Sequence, residues 1–116
     1  MYDTIPKAAL SERERRVRAE LCRVLSSAVL IKGSLSRRAS VCGKAGCRCT
    51  RGHKHTSVCL VAYHKGRLRQ KHIPRALQAR VRVWVRTYRT VQLLLERLSG
   101  YAWQRLTRRQ AMLRRL

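Results

Sequence analysis

The chain has 116 residues and a formal net charge of +23, with 28 Lys or Arg set against 5 Asp or Glu. That length suits one small domain with a modest core, and the longest apolar run, Val58-Cys59-Leu60-Val61-Ala62-Tyr63, is far short of the roughly 18–20 residues that cross a bilayer. Charge this one-sided weakens a compact state through self-repulsion, so it excludes an ordinary mixed-charge surface and points to a polyanionic partner, nucleic acid before others.

The imbalance is concentrated. Residues 21 to 95 hold 17 Lys or Arg and no Asp or Glu. Of the basic residues 22 are Arg and 6 are Lys, and the planar guanidinium fork suits phosphate oxygens and base edges better than a point charge does. The N-terminus lacks a signal-peptide pattern, and Asp3, Glu12, Glu14 and Glu20 argue against a transit peptide. Five Cys, three of them within eight residues, suit a metal in a reducing compartment better than a disulfide framework. The expected location is cytoplasmic, associated with nucleoid or ribonucleoprotein.

In chain order, the pattern predicts an α+β fold in a single domain, 1–116. Residues 7–32 read as a helix, with Ser11 and Glu14 as a reciprocal capping box. Val17, Leu21, Val24, Ala28 and Ile31 form one apolar face, and Gly33 is the left-handed cap at its end. Cys22 lies beside that stripe and is expected in the core. Residues 34–56, rich in Gly, Ser, Cys and basic side chains, read as an irregular metal-binding loop. Residues 57–73 read as a β-hairpin turning at His64-Lys65-Gly66, with Arg67, Arg69 and Lys71 on one face and Leu68 on the other. Pro74 opens a long helix over 74–99. On it Leu77, Val81, Trp84, Tyr88, Val91, Leu95 and Leu98 hold a 4-3 spacing, a seam of coiled-coil type that pairs with the first helix or with a second copy in a homodimer. Gly100 marks a break, and 101–116 is a short basic helix or tail with Ala102, Leu106, Leu113 and Leu116 on one side.

The sharpest local signal is Cys42-Gly43-Lys44-Ala45-Gly46-Cys47-Arg48-Cys49-Thr50-Arg51-Gly52-His53-Lys54-His55. Three thiolates and one imidazole make a structural zinc set, and four protein ligands leave no open position for catalysis. The interleaved glycines let the backbone wrap an ion, and Lys44, Arg48, Arg51 and Lys54 favour the thiolate form. By spacing alone the fourth ligand is His53 or His55. Cys59 is a further candidate, although a buried place in the strand suits it better.

Gly33-Ser34-Leu35, the Cys-rich motif at 42 to 49, Arg51-Gly52, and Tyr63, Gly66, Arg69 and Ile73-Pro74 followed by Trp84-Val85 together resemble a small uncharacterised prokaryotic family. Its members are short basic Cys-rich proteins often associated with mobile elements and their transposases. The resemblance covers about residues 30 to 100. It implies the zinc-plus-helices layout and His55 as the fourth ligand, beside Cys42, Cys47 and Cys49. An aromatic-rich segment of that pattern near 56 to 60 is replaced here by Thr56-Ser57-Val58-Cys59-Leu60, which weakens a base-stacking role for this strand.

Two-metal nucleases need clustered carboxylates. Asp3, Glu12, Glu14, Glu20 and Glu96 supply no convincing pair, and His53-Lys54-His55 is a poor match to the metal motif of nicking enzymes. The expectation is a non-catalytic, zinc-containing protein that grips the phosphate backbone of duplex DNA or structured RNA as an accessory of a mobile-element or ribonucleoprotein complex. Its contact residues are Lys44, Arg48, Arg51, Lys54, Arg67, Arg69, Lys71, His72 and Arg75. The alternative is an interaction subunit docking a recombinase or nuclease through the helical seam. A basic amphipathic membrane binder has the least support, because a Cys-rich loop gives no reason for it.

Overall fold

The computed structural model describes residues 1–40, 43–52 and 55–115, with the side chains of Ser40 and Cys49 left undescribed. The chain forms two compact units: residues 1–29 with 87–116 (unit 1), and Leu30–Arg86 (unit 2). The predicted α+β class holds, with an N-terminal helix, a three-stranded antiparallel sheet and a long C-terminal helix.

In unit 1 a 3-10 turn at Lys7–Ala9 precedes helix α1, Glu12–Ser27. Ser11 caps α1 by accepting the Glu14 backbone N–H at 3.2 Å, as the capping-box reading requires. The reciprocal half does not form. The Glu14 carboxylate instead accepts from Arg18, at 2.8 Å to Nη2, and from Arg105 of the long C-terminal helix. Glu14 is 1% exposed and is the one buried charged residue among those described. The buried apolar residues of this unit are Leu10, Val17, Leu21, Val91 and Leu94, and Cys22, expected in the core, is exposed.

α1 is shorter than the 7–32 helix expected. It ends at Ser27, where Ala28 turns extended and donates its N–H to the Val24 carbonyl. Two serines weaken the last turn, and the Ser26 hydroxyl donates to the Arg23 carbonyl in competition with helix continuation. Ile31 therefore leaves the α1 stripe and joins unit 2, donating its N–H to the Trp84 carbonyl at 3.2 Å.

Unit 2 holds strands β1 (Ser34–Ser40), β2 (His55–His64) and β3 (Arg67–His72), in the order β1-β2-β3. The hairpin appears where the alternation places it. Lys65 (φ 52) and Gly66 (φ 77) make a two-residue turn with both central residues left-handed, the twist-matched geometry for antiparallel strands. The expected irregular loop 34–56 is corrected at both ends, because its first seven residues pair with β2 and its last two begin β2. Burial explains the first change: Leu35 stands opposite Leu60 and packs against the cluster of Leu60, Ile73, Val81 and Val85. Gly33 is not a helix cap. A Cβ there would lie 3.0 Å from the Val61 carbonyl oxygen and 2.9 Å from Leu60, so a side chain would wedge the chain off β2.

Helix α2 runs unbroken over Arg75–Arg114 and contributes to both units. Gly100 does not interrupt it; one Gly costs about 1 kcal/mol of helix propensity, which the flanking Leu, Arg and Gln residues absorb. The predicted seam holds at Val81 and Val91 and partly at Trp84, Tyr88 and Leu98. It fails at Leu77 (41% exposed) and Leu95 (51%), while Val85 and Leu94 are buried in their place. At about 100° per residue, Val81, Trp84, Val85 and Tyr88 centre on one side of the helix and Val91, Leu94, Leu98 and Tyr101 on a side roughly 100° away. Leu95 keeps the first phase after the buried face has moved on. Among the described residues no helix is long and apolar enough to cross a membrane.

Candidate nucleic-acid interface and metal loop

The loop joining β1 to β2 is built around Cys47. Its backbone N–H donates to the Lys44 carbonyl at 3.4 Å. Its carbonyl accepts both the Thr50 N–H at 3.1 Å and the Thr50 hydroxyl at 2.7 Å. A 3-10 turn, Arg48–Arg51, follows and is closed by Gly52 at φ 101. His55 opens β2 on the far side of the loop, and its Nε2 lies 3.3 Å from Cys47 Sγ.

That separation is informative for a metal. Two ligands at tetrahedral positions, with Zn–S near 2.3 Å and Zn–N near 2.0–2.1 Å, lie about 3.5 Å apart. Cys47 and His55 therefore suit adjacent positions on one zinc ion. Cys42, His53 and Lys54 lie outside the described residues, as does the Cys49 side chain, although Cys49 itself falls within the 3-10 turn. Among the described residues no group of three or more His, Cys, Asp or Glu is assembled. Cys59 stands four residues beyond His55 on β2, about 13 Å along a strand, too far to share an ion with it.

The expected phosphate contacts divide into two groups. Lys44, Arg48 and Arg51 are exposed on the loop. Arg67, Arg69, Lys71 and His72 are all exposed on β3. The register places Arg69 opposite Ala62 and Lys71 opposite Leu60, so these bases share the sheet face of Ile73, while Leu68 and His72 lie on the other. Two basic clefts result. One, of about 660 Å³, has an apolar floor of Ile31, Leu60 and Ala62 and a rim of Lys32, Arg69 and Lys71. The other, of about 450 Å³, opens beside β2 just past the end of β3 and gathers Arg37, Thr56, Ser57, His72 and Arg75. Sequence reasoning found His72 and Arg75 but missed Arg37 and Lys32. The alternation Leu35-Ser36-Arg37 carried the signal, since it puts Arg37 on the face of Leu35, opposite Val58.

Charge separates the two units sharply. Unit 2 contains 15 Lys or Arg and no carboxylate side chain. Every Asp and Glu of the chain lies in unit 1, beside 13 Lys or Arg. In unit 1, burial alone would raise the Glu14 pKa, but the hydrogen bonds and charges of Arg105 and Arg18 outweigh it and hold the carboxyl below its ordinary value.

No curated protein and no solved structure matches the chain. One family model does, over residues 8–83, from the turn before α1 through the Cys-rich loop and hairpin into the first turns of α2. The chain belongs to the family described as "Domain of unknown function (DUF6788)".

Proposed function

We propose that this protein is a non-catalytic nucleic-acid-binding module in which zinc, held by Cys42, Cys47, Cys49 and His55, orders a basic loop beside the sheet. The observation that carries the reading is the carboxylate-free unit 2, whose exposed bases line two clefts and have no internal counter-charge. The Cys47–His55 approach supports zinc as the element that fixes the loop before the ligand arrives, which lowers the ordering entropy lost on binding. The partner is duplex DNA or structured RNA gripped by shape and charge, because the exposed strand residues offer few aromatic stacking platforms. Non-catalytic character is supported by the carboxylates: Glu14, the buried one, is held by two guanidiniums and cannot serve a metal. The resemblance to basic Cys-rich prokaryotic proteins supports a role as an accessory of a mobile-element or ribonucleoprotein complex in the cytoplasm, at the nucleoid or on such a particle.

The test is the salt dependence of binding to a short DNA duplex. Each phosphate contact adds about 0.9 to the slope of log affinity against log salt, so six or more contacts give a loss of at least about 10³-fold between 50 and 200 mM salt. A flat response sinks the phosphate-binding reading. A second reading, docking of a recombinase or nuclease partner or of a second copy, is favoured by one observation: Trp103 (67% exposed), Leu106 (49%) and Leu113 (69%) leave apolar surface on the later turns of α2. Light scattering with and without nucleic acid separates the two, since a stable monomer argues for self-contained binding.

A further inference from the structure

We propose that unit 1 carries a phosphate-binding cleft of its own, separate from every contact assigned to unit 2. The cleft, of about 450 Å³, is lined by Ser11 and Arg13 from the start of α1 and by Arg97, Tyr101, Arg105 and Arg108 from α2. Spacings of 4, 4 and 3 put the α2 residues on one side of that helix. Four guanidinium groups from two elements far apart in sequence thus meet in one recess.

Glu14, which also lines the cleft, neutralises only Arg105 of the four. Its two oxygens are taken by Arg105 and by Arg18, and its burial fixes Arg105 at the cleft wall. Among the described residues, Arg13, Arg97 and Arg108 have no carboxylate partner. Arg105 and Arg108 stand one turn apart, where like charges oppose each other. An anion relieves that repulsion. A phosphate group fits best, because it offers three or four acceptor oxygens to several forks at once, where a peptide carboxylate offers two. The Ser11 and Tyr101 hydroxyls add neutral donors at the same recess. Arg97, Arg105 and Arg108 lie beyond the segment that the family model covers, whereas Ser11 and Arg13 lie within it. The ligand is a phosphate group, whether free or carried on a polynucleotide.

The test is NMR of the full-length ¹⁵N-labelled chain, following the arginine Nε–H resonances while inorganic phosphate replaces chloride at constant ionic strength. The expected result is a saturable shift at Arg97, Arg105 and Arg108. In R97Q/R108Q, checked for retained helicity by circular dichroism, phosphate affinity falls by at least about tenfold, as the loss of two charge-assisted contacts implies. In the charge-matched control R109Q/R114Q it changes less than about twofold, because these exposed residues are not among the cleft lining. Unsaturable shifts of equal size at Arg109 and Arg114 overturn the proposal, and if R97Q/R108Q misfolds the wild-type titration alone decides. A DNA duplex added to the phosphate-loaded chain identifies the source: displacement of phosphate assigns the cleft to a polynucleotide phosphate, and retention assigns it to free phosphate. Duplex binding with silent cleft arginines removes this inference and leaves the unit 2 reading standing. Phosphate in the cleft without any duplex binding does the reverse.

Discussion

The two halves of this molecule handle their excess of basic residues in different ways. Unit 1 supplies its own counter-charges: Glu12 pairs with Arg16 on the surface at 2.7 Å, and Glu14 is buried between Arg18 and Arg105. Unit 2 supplies none, and its core is small, with Leu60, Ile73, Val81 and Val85 at the centre and Ile31, Leu35 and Trp84 around them. At about 1.5–3 kcal/mol for each fully buried aliphatic side chain, such a core offsets little repulsion and ordering entropy. The lesson is that one half sets carboxylates among its guanidiniums, whereas the other, on the function proposed above, takes its counter-charge from an anion.

The comparison can be broken most severely at the loop. Cys47→Ser should abolish stoichiometric zinc binding, since structural zinc in small domains contributes of order 10 kcal/mol to folding near neutral pH. The cooperative melting of unit 2 should drop with it while α1 persists, which amide exchange resolves residue by residue. Zinc content unchanged in that variant would remove the metal from the account.

Next in size is the internal ion pair of unit 1. Glu14→Gln keeps the shape and removes the charge, at a cost of about 2–3 kcal/mol by denaturant melting, because Arg18 and Arg105 regain only part of their solvation. The pH dependence has a definite sign. Glu14 is depressed in the folded state, so its contribution is fully present above about pH 4.3, the unfolded glutamate value, and fades as pH falls through the lower folded value. Wild-type chain should lose stability there more steeply than E14Q does.

Two glycines sharpen the contrast at the small end. Gly33→Ala should cost about 1–2 kcal/mol, because the new Cβ meets the Val61 carbonyl and Leu60 in unit 2. Gly100→Ala should instead raise thermal stability by about 0.5–1 kcal/mol, since it sits inside a continuous helix of unit 1 with nothing near an added Cβ.

Much of the architecture is legible before any coordinates. Ser11 with Glu14 marks the start of α1, Lys65-Gly66 marks the hairpin, and Pro74 marks the start of α2, because each signal is local chemistry. What escapes is what a distant partner decides. Ser34 to Ser40 is a weak strand by propensity and becomes β1 because Leu35 finds Leu60. Leu95 keeps a perfect heptad phase and is exposed, because α2 serves two packing units and its buried side changes between Tyr88 and Val91. Glu14 looks like a capping residue until Arg105, 91 residues away, is brought beside it. The Cys/His spacing is legible in the chain, and of the proposed ligands the structure brings Cys47 and His55 together. Arg37 is legible only through the Leu35-Ser36-Arg37 alternation, and Lys32, which precedes β1, carries no periodic signal that would place it at a cleft.

One backbone bond has an effect on the order in which the chain assembles. Unit 1 is made from two stretches of sequence, and the whole of unit 2 lies between them. The Ile31 N–H to Trp84 carbonyl bond ties together the points where the polypeptide enters and leaves that insert. While the insert is unstructured, α1 must find the later turns of α2 across an intervening coil of more than fifty residues. Once it is knotted shut, the same search spans only a few, a saving of roughly 2 kcal/mol in closure entropy. An ion taken up at the loop would thereby strengthen the pairing of α1 with the later turns of α2 by shortening the tether between them.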